Sequence, residues 1–498
     1  MRRNTSLVIV GVPALIAVLG IVAEAGCQAC GQAKAAASDA EPVRRSAFRS
    51  QNLSTGYPYS VTLPLVLRYY DPTYVSPFGI TMYGNVDDAD GLQVMQEAGA
   101  KSATTMLYWA AVQPNRGDSL NWSSFDTTAQ NAQAAGLDLF VLFTGNPSWA
   151  AEYPGGPVTD MQDLVSFVTA MVERYDCDGI QDAPGHPCIR YWSFYAEPDN
   201  GDPGHARYGG KGLWGHNGAG YAAMLAAIAP AIHTADPKAK VLIGGLAYDW
   251  FEESGGPFVR SFLADTLAAL NTYPGGASRY LDAVAFHYYP IGVWPTIREK
   301  AMEIRGIMAS HGAGNLPLLS PEMGYWSSPK YGSSELGQAY WLVQDYVRGL
   351  SVDIRLLSWY KVFDDAVASS TEDVAADQTA GLRRVDGTLK PAYLAYQTMS
   401  RELAMARYVG PYQASGVEGY VFTTAEGGQK TVLWSKAGLV HVAFPYTHLR
   451  VVTATGDAVF DILDNQRQLG APGDVDGGIA GQIELELHEN QPFYVERK

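Results

Sequence analysis

From Phe78 to Leu403 the chain alternates a short apolar run with a longer amphipathic stretch, and it does so eight times. Phe78–Gly84 precedes the helical pattern Asp87–Ala98, and Ser102–Leu107 leads to a helix that begins near Trp122. Leu137–Phe143 is followed by Met161–Tyr175, Ile189–Glu197 by Ala219–His233, and Lys240–Leu246 by Phe258–Leu270. Leu281–His287 precedes Thr296–Ser310, Leu316–Glu322 precedes Leu336–Leu350, and Ile354–Tyr360 precedes Leu389–Leu403. Runs of this length without period-3.6 patterning are buried strands, and the stretches between them carry a one-sided apolar face suited to helices. A strand that returns through a helix runs parallel to its predecessor. Eight such units fit a (β/α)8 barrel, an α/β TIM-barrel fold. A doubly wound open sheet is the competing topology, but no glycine-rich dinucleotide turn follows the first strand.

The flanks have a different texture. Beyond about Ala406, helical patterning stops. Gly419–Thr424, Thr431–Trp434, Val440–Phe444, Leu449–Thr453, Ile483–His488 and Pro492–Glu496 alternate or are β-branched, with glycine-rich turns between them. This predicts a C-terminal antiparallel β-sandwich over 405–498 behind a barrel over 77–404. Residues 26–76 are Ala/Ser-rich and then polar, and read as a tether with one short strand-like run at Val61–Leu67. Residues 1–25 read as an export signal: Arg2 and Arg3, an apolar run from Leu7 to Ala23, then the small-residue site Ala23-Glu-Ala25. The run is also just long enough for an uncleaved anchor. Cys27 opens a lipoprotein alternative, although Glu24 occupies the place where that signal wants an aliphatic residue. Each alternative places the protein outside the cytoplasm, extracellular or at the cell surface, with membrane contact only through this terminus.

In such a compartment Cys177 and Cys188, which bracket a turn-rich insertion, are expected to form a disulfide. A zinc site with His186 has too few ligands. The net charge of −16 argues against nucleic acid or an anionic membrane surface as partner. The 11 Trp and 30 Tyr suit a carbohydrate partner but are common in large folds.

Catalytic groups in such barrels sit where the strands end at the C-terminal face. Glu197, in Trp192-Ser-Phe-Tyr-Ala-Glu-Pro-Asp-Asn200, is the last residue before Pro198 that can belong to the fourth strand, since proline cannot donate to a ladder. Glu322, in Leu318-Leu-Ser-Pro-Glu-Met323, ends the seventh. Two carboxylates meeting over one pocket from separate strands are what glycosidic bond cleavage requires. His287 and Tyr289 lie two apart, hence on one face of the sixth strand with Tyr288 turned away. They either hold a sugar or the nucleophile, or pack in the core. The acidic run Asp364, Asp365, Glu372 and Asp373 reads as a solvated loop, with a cationic sugar or calcium as the sharper alternative.

The chain resembles the clan of retaining glycoside hydrolases with (β/α)8 barrels and glutamates on strands four and seven, known as clan GH-A. It is most similar to the family 39 β-xylosidase and iduronidase-like enzymes and their bacterial endoglycosidase relatives. The resemblance rests on Phe78-Gly79, Tyr108-Trp-Ala-Ala-Val-Gln-Pro114 with Gly117 and Leu120-Asn-Trp122, and Pro147-Ser-Trp-Ala150. It extends to the two glutamate motifs, Gly381-Leu382 and Lys390-Pro-Ala-Tyr393. It implies that Glu197 is the acid/base and Glu322 the nucleophile. It also implies that Trp359 is a sugar platform, that Trp109, Asn146 and Trp149 are pocket-wall residues, and that no metal or organic cofactor is needed. One departure stands out. The clan has Asn immediately before the acid/base, where it donates to the sugar 2-hydroxyl; here the residue is Ala196. Asn200 and the loop Asp202–Asn217 are the nearest sources of a substitute donor. The resemblance therefore implies a secreted hydrolase of poly- or oligosaccharides, with a weakened or inactive carbohydrate-binding relative, or a transglycosylase, as alternatives.

Overall fold

A computed structural model describes residues 76–204, 212–290, 293–366, 376–466, 473–476 and 478–498. The expected signal, the tether and the strand-like run Val61–Leu67 lie outside them. The described residues all belong to one compact unit.

Eight parallel strands make the barrel: β1 (Phe78–Thr81), β2 (Ser102–Tyr108), β3 (Asp138–Thr144), β4 (Tyr191–Phe194), β5 (Lys240–Ile243), β6 (Val284–Tyr288), β7 (Leu318–Met323) and β8 (Ile354–Trp359). Their order is β5-β4-β3-β2-β1-β8-β7-β6. Parallel bridges Leu242 to Ala283 and Leu246 to Phe286 bring β5 to β6 and close the ring. The lumen is filled, not open: Phe140, Leu242, Ala283, Ala285, Leu319 and Leu356 form their own buried cluster, with Phe140 stacked 4.1 Å from Tyr191. This packing is the floor on which the site rests.

The helices begin where the sequence supplies caps. Asp160, Asn217, Thr296 and Ser334 each accept a backbone N–H from the first turn of the helix that follows. They thereby satisfy donors that a helix start leaves without partners. The last barrel helix, Pro391–Glu402, opens on proline, whose missing N–H costs nothing there.

The C-terminal region is a six-stranded antiparallel sheet, with β9 (Arg407–Pro411), β10 (Val417–Thr423), β11 (Gln429–Ser435), β13 (His448–Thr453), β14 (Val459–Leu463) and β16 (Phe493–Arg497). It faces the pair β12 (Val440–Phe444) and β15 (Ile483–Leu487). The periodicity misses β9 and β14. Both are edge strands of the larger sheet and bury few side chains, so neither carries a strong apolar face. Glu402 ties this region to the barrel through Lys430 (2.6 Å) and Arg450 (2.8 Å). Burial opposes its charge, but those hydrogen bonds hold its carboxyl down at about 2. Cys177 and Cys188 are joined, with Cα atoms 5.1 Å apart.

Candidate active site

β4 ends three residues earlier than the sequence suggests. The ladder stops at Phe194, and Glu197 is not a strand residue but sits on a kinked turn beyond it. Tyr195 has φ 64° and Glu197 has φ 49°, left-handed values that non-glycine residues adopt at a cost. Backbone bonds impose the turn: Tyr195 N–H donates to Phe143 O and Glu197 N–H to Gly245 O, both at 2.8 Å. The segment Gly244-Gly245 is what allows the approach. A Cβ on Gly244 would stand 1.9 Å from the Tyr195 carbonyl oxygen, and one on Gly245 would stand 2.1 Å from Nε2 of His287.

The loop after β5 is itself pinned from behind. Asp199 is buried and accepts the N–H groups of Ala247 (3.0 Å) and Tyr248 (2.7 Å). Burial pushes its carboxyl up to about 6 against those hydrogen bonds, and the charge of Glu197 adds to the rise. Lys300, also buried, donates to the Ala247 carbonyl and lies 3.4 Å from Asp249.

Glu322 comes from β7 itself, in register with His287 of β6. Its carboxylate is clamped from two sides. Tyr289 donates to Oε1 at 2.7 Å, and Tyr83, just past the end of β1, donates to Oε2. Enclosure of the hydroxyl ends, reinforced by the glutamate charge, raises both phenols well above their ordinary range although Tyr83 as a whole is 40% exposed, so both stay protonated donors. Between the glutamates stands His287, 3% exposed, with Nδ1 3.3 Å from Glu197 and 3.8 Å from Glu322. A carboxylate oxygen of Glu197, a ring nitrogen of His287 and a carboxylate oxygen of Glu322 all lie within 4.8 Å of one another.

Glu197, Glu322, His287 and Tyr289 thus converge at one place, and Tyr288 turns outward to stack 5.6 Å from Trp341. The remaining candidates lie elsewhere. Trp359 has no exposed surface, and its Nε1 donates to the Ala380 carbonyl at 3.0 Å. It is a packing residue in this structure and offers no face to a sugar. Tyr360, the next residue, instead meets the pocket tyrosines, with ring centroids 6.0 Å from Tyr83 and 6.1 Å from Tyr289. Trp109 is likewise fully buried, 5.1 Å from Phe167. Asn146 is spent inside the scaffold, donating to Gly156 O at 2.9 Å and accepting from the Tyr195 hydroxyl at 3.1 Å. Trp149 is half-buried, with its Nε1 on the Gln113 carbonyl and Arg116 over its ring.

Ala196 is buried, and its carbonyl accepts from Gly212 N–H. Asn200 is buried and its Oδ1 accepts from Asp202 N–H at 2.9 Å; residues 205–211 lie outside the described chain. In the strand-eight loop Asp364 pairs with Lys390 and Asp365 with Lys361, which accounts for both charges; Glu372 and Asp373 lie outside the described residues. Tyr83 and Tyr360 escape the sequence reading. The place of Tyr83 directly after the first strand is the one local signal that points to it.

The fold and the convergence of these groups define a class of protein that solved structures contain. No protein-family model matches the sequence, and no curated protein matches it. A family 39 glycoside hydrolase from Bacteroides cellulosilyticus WH2 superposes with a TM-score of 0.61 at 15% identity, covering 85% of this chain and 81% of that one. A monomeric β-xylosidase from Caulobacter crescentus CB15 gives 0.58 at 14% identity over 86% and 96%. A glucosidase from Croceicoccus marinus gives 0.56 at 16% over 84% and 95%. The chain therefore has the barrel-and-sandwich fold of glycoside hydrolases.

Proposed function

We propose that this chain is a retaining glycoside hydrolase acting on O-glycosidic bonds of a poly- or oligosaccharide. The observation that carries the proposal is the approach of the two carboxylates, with an oxygen of each inside a 4.8 Å cluster. Inverting enzymes need carboxyl groups roughly 6.5–9.5 Å apart to admit a water, whereas retaining enzymes hold them at about 5–5.5 Å. Glu322 is held on both oxygens by fixed phenol donors, which aim it as the nucleophile. Its oxygen attacks the anomeric carbon as the bond to the leaving oxygen breaks, and Glu197 passes its proton to that oxygen. Water then attacks the glycosyl ester, Glu197 takes the water's proton, and Glu322 departs as carboxylate. His287, between the two, orients Glu197.

The fold by itself hosts many chemistries, so the two-glutamate site and not the barrel supports this reading. The structural neighbours include a xylosidase and a glucosidase. Action outside the cytoplasm is supported by the N-terminal apolar run and by the disulfide. A panel of aryl glycosides, with product configuration read by NMR at early times, tests the proposal. Wild type should release product with the anomeric configuration of the substrate, and Glu322→Gln should release none. Ala196 supports a second reading, a carbohydrate-binding relative without turnover. Glycan binding with no Glu-dependent hydrolysis anywhere in the panel would select it.

A further inference from the structure

Between the helix Met161–Arg174 and β4 the chain makes an excursion that takes no part in the barrel chemistry, yet three aspartates converge in it. Carboxylate oxygens of Asp176, Asp178 and Asp182 lie within 4.8 Å of one another. Asp176 is buried, and the side chain of Asp182 is 1% exposed. Oδ2 of Asp182 accepts the Gly179 N–H at 2.9 Å and faces Nδ1 of His186 at 2.6 Å. Its Oδ1 is closed off from solvent and has no hydrogen-bond partner among the described residues.

A buried carboxylate oxygen without a donor is costly, and two more carboxylates at this range add repulsion. The arginines that flank the segment in sequence do not relieve it, because Arg174 pairs with Asp126 (2.6 Å) and Arg190 with Asp236. We propose that Asp176, Asp178 and Asp182 bind a divalent cation, calcium. The donors are all oxygen, which selects a hard ion, and the cysteines beside them are tied up in the disulfide. An irregular loop suits the six to eight flexible contacts of calcium better than the strict octahedron of magnesium, with water completing the shell. The spacing differs from that of the twelve-residue helix–loop–helix calcium loop, so the proposal stands on the convergence and on the unpartnered Asp182 oxygen. The ion and the Cys177–Cys188 bond would together pin the segment that delivers the chain into β4.

Thermal unfolding of chelator-treated full-length protein, with added CaCl2 or MgCl2, tests this. Calcium should raise Tm saturably, with half-saturation on the order of 10⁻⁴–10⁻³ M as in extracellular calcium modules. Magnesium should do less. Terbium should bind competitively with calcium and luminesce through the adjacent Tyr175. Asp178→Asn, at an exposed position that tolerates the change, and Asp182→Asn should each weaken binding tenfold or more by both readouts. The double variant Glu197→Gln/Glu322→Gln should keep the full response, which separates this cluster from the one in the barrel mouth. A Tm in wild type that does not depend on calcium, or a calcium response unchanged in Asp178→Asn, overturns the proposal.

Discussion

At the end of β4 the backbone sets the geometry, while at the end of β7 side chains do. Glu197 is aimed by two left-handed residues, by its own N–H on Gly245, and by glycines that let the β5 loop close in. Glu322 lies within β7 itself, where the pairing with β8 shifts register, and is held by two phenols. The contrast matches the two jobs proposed. An acid/base must hold and release a proton in turn, so its environment cannot favour the ionised form alone. A nucleophile must be held with one oxygen aimed at the anomeric carbon, and donors fixed on both oxygens do that.

The strongest way to break the contrast is to remove each carboxylate and vary the leaving group. Glu322→Gln should lower kcat/KM on the order of 10⁴–10⁶-fold whatever the leaving group, as loss of a covalent nucleophile does in other hydrolases. Glu197→Gln should cost about 10²–10⁴-fold where the leaving sugar needs a proton. It should cost far less in the first step with a dinitrophenyl glycoside, which leaves unaided. Equal leaving-group dependence in the two variants would show that the roles are not divided between β4 and β7 as assigned.

A smaller effect tests the clamp. Tyr83→Phe and Tyr289→Phe each remove one charge-assisted hydrogen bond, worth about 1.5–3 kcal/mol, so each should cost roughly 10- to 100-fold in activity. The loss should appear in kcat with little change in thermal stability. If Tyr83→Phe is silent while Tyr289→Phe is not, the β1 residue is a bystander and the clamp is one-sided.

The parts of this arrangement legible in the sequence are those that periodicity encodes. Helices such as Met161–Arg174 and Glu335–Ser351 declare themselves through apolar spacing. β9 and β14 do not, because an edge strand buries too little to leave a pattern. At the site, the place of Glu322 on the seventh strand and of Glu197 in the segment that follows the fourth is readable, and the two-residue spacing places His287 and Tyr289 together. The parity of the last strand is not readable. One residue decides which of Trp359 and Tyr360 enters the core, and only the ladder of β8 with β1 and β7 settles it. The true end of β4 is hidden for a related reason. Its kink is fixed by glycines nearly fifty residues downstream, a constraint that no local pattern around Glu197 records.

The mildest test probes the support behind Glu197. Asp199 is buried and its carboxyl is raised to about 6, so between the ordinary carboxylate range and that value the folded chain holds a proton that the unfolded chain has released. Its contribution to stability is therefore present at low pH and is lost as pH rises through about 6. The loss amounts to at most about 3 kcal/mol for a shift of roughly two pH units. Asp199→Asn cannot titrate and lacks this loss, although it gives up one acceptor for the N–H groups of Ala247 and Tyr248. The difference in Tm, variant minus wild type, should therefore be more favourable to the variant at pH 7 than at pH 4. A difference that is constant with pH would mean that Asp199 is already ionised in the folded chain at acidic pH. The β5 loop would then be held by a full charge two residues from Glu197, and charge would fix the end of β4 as firmly as the phenols fix Glu322 on β7.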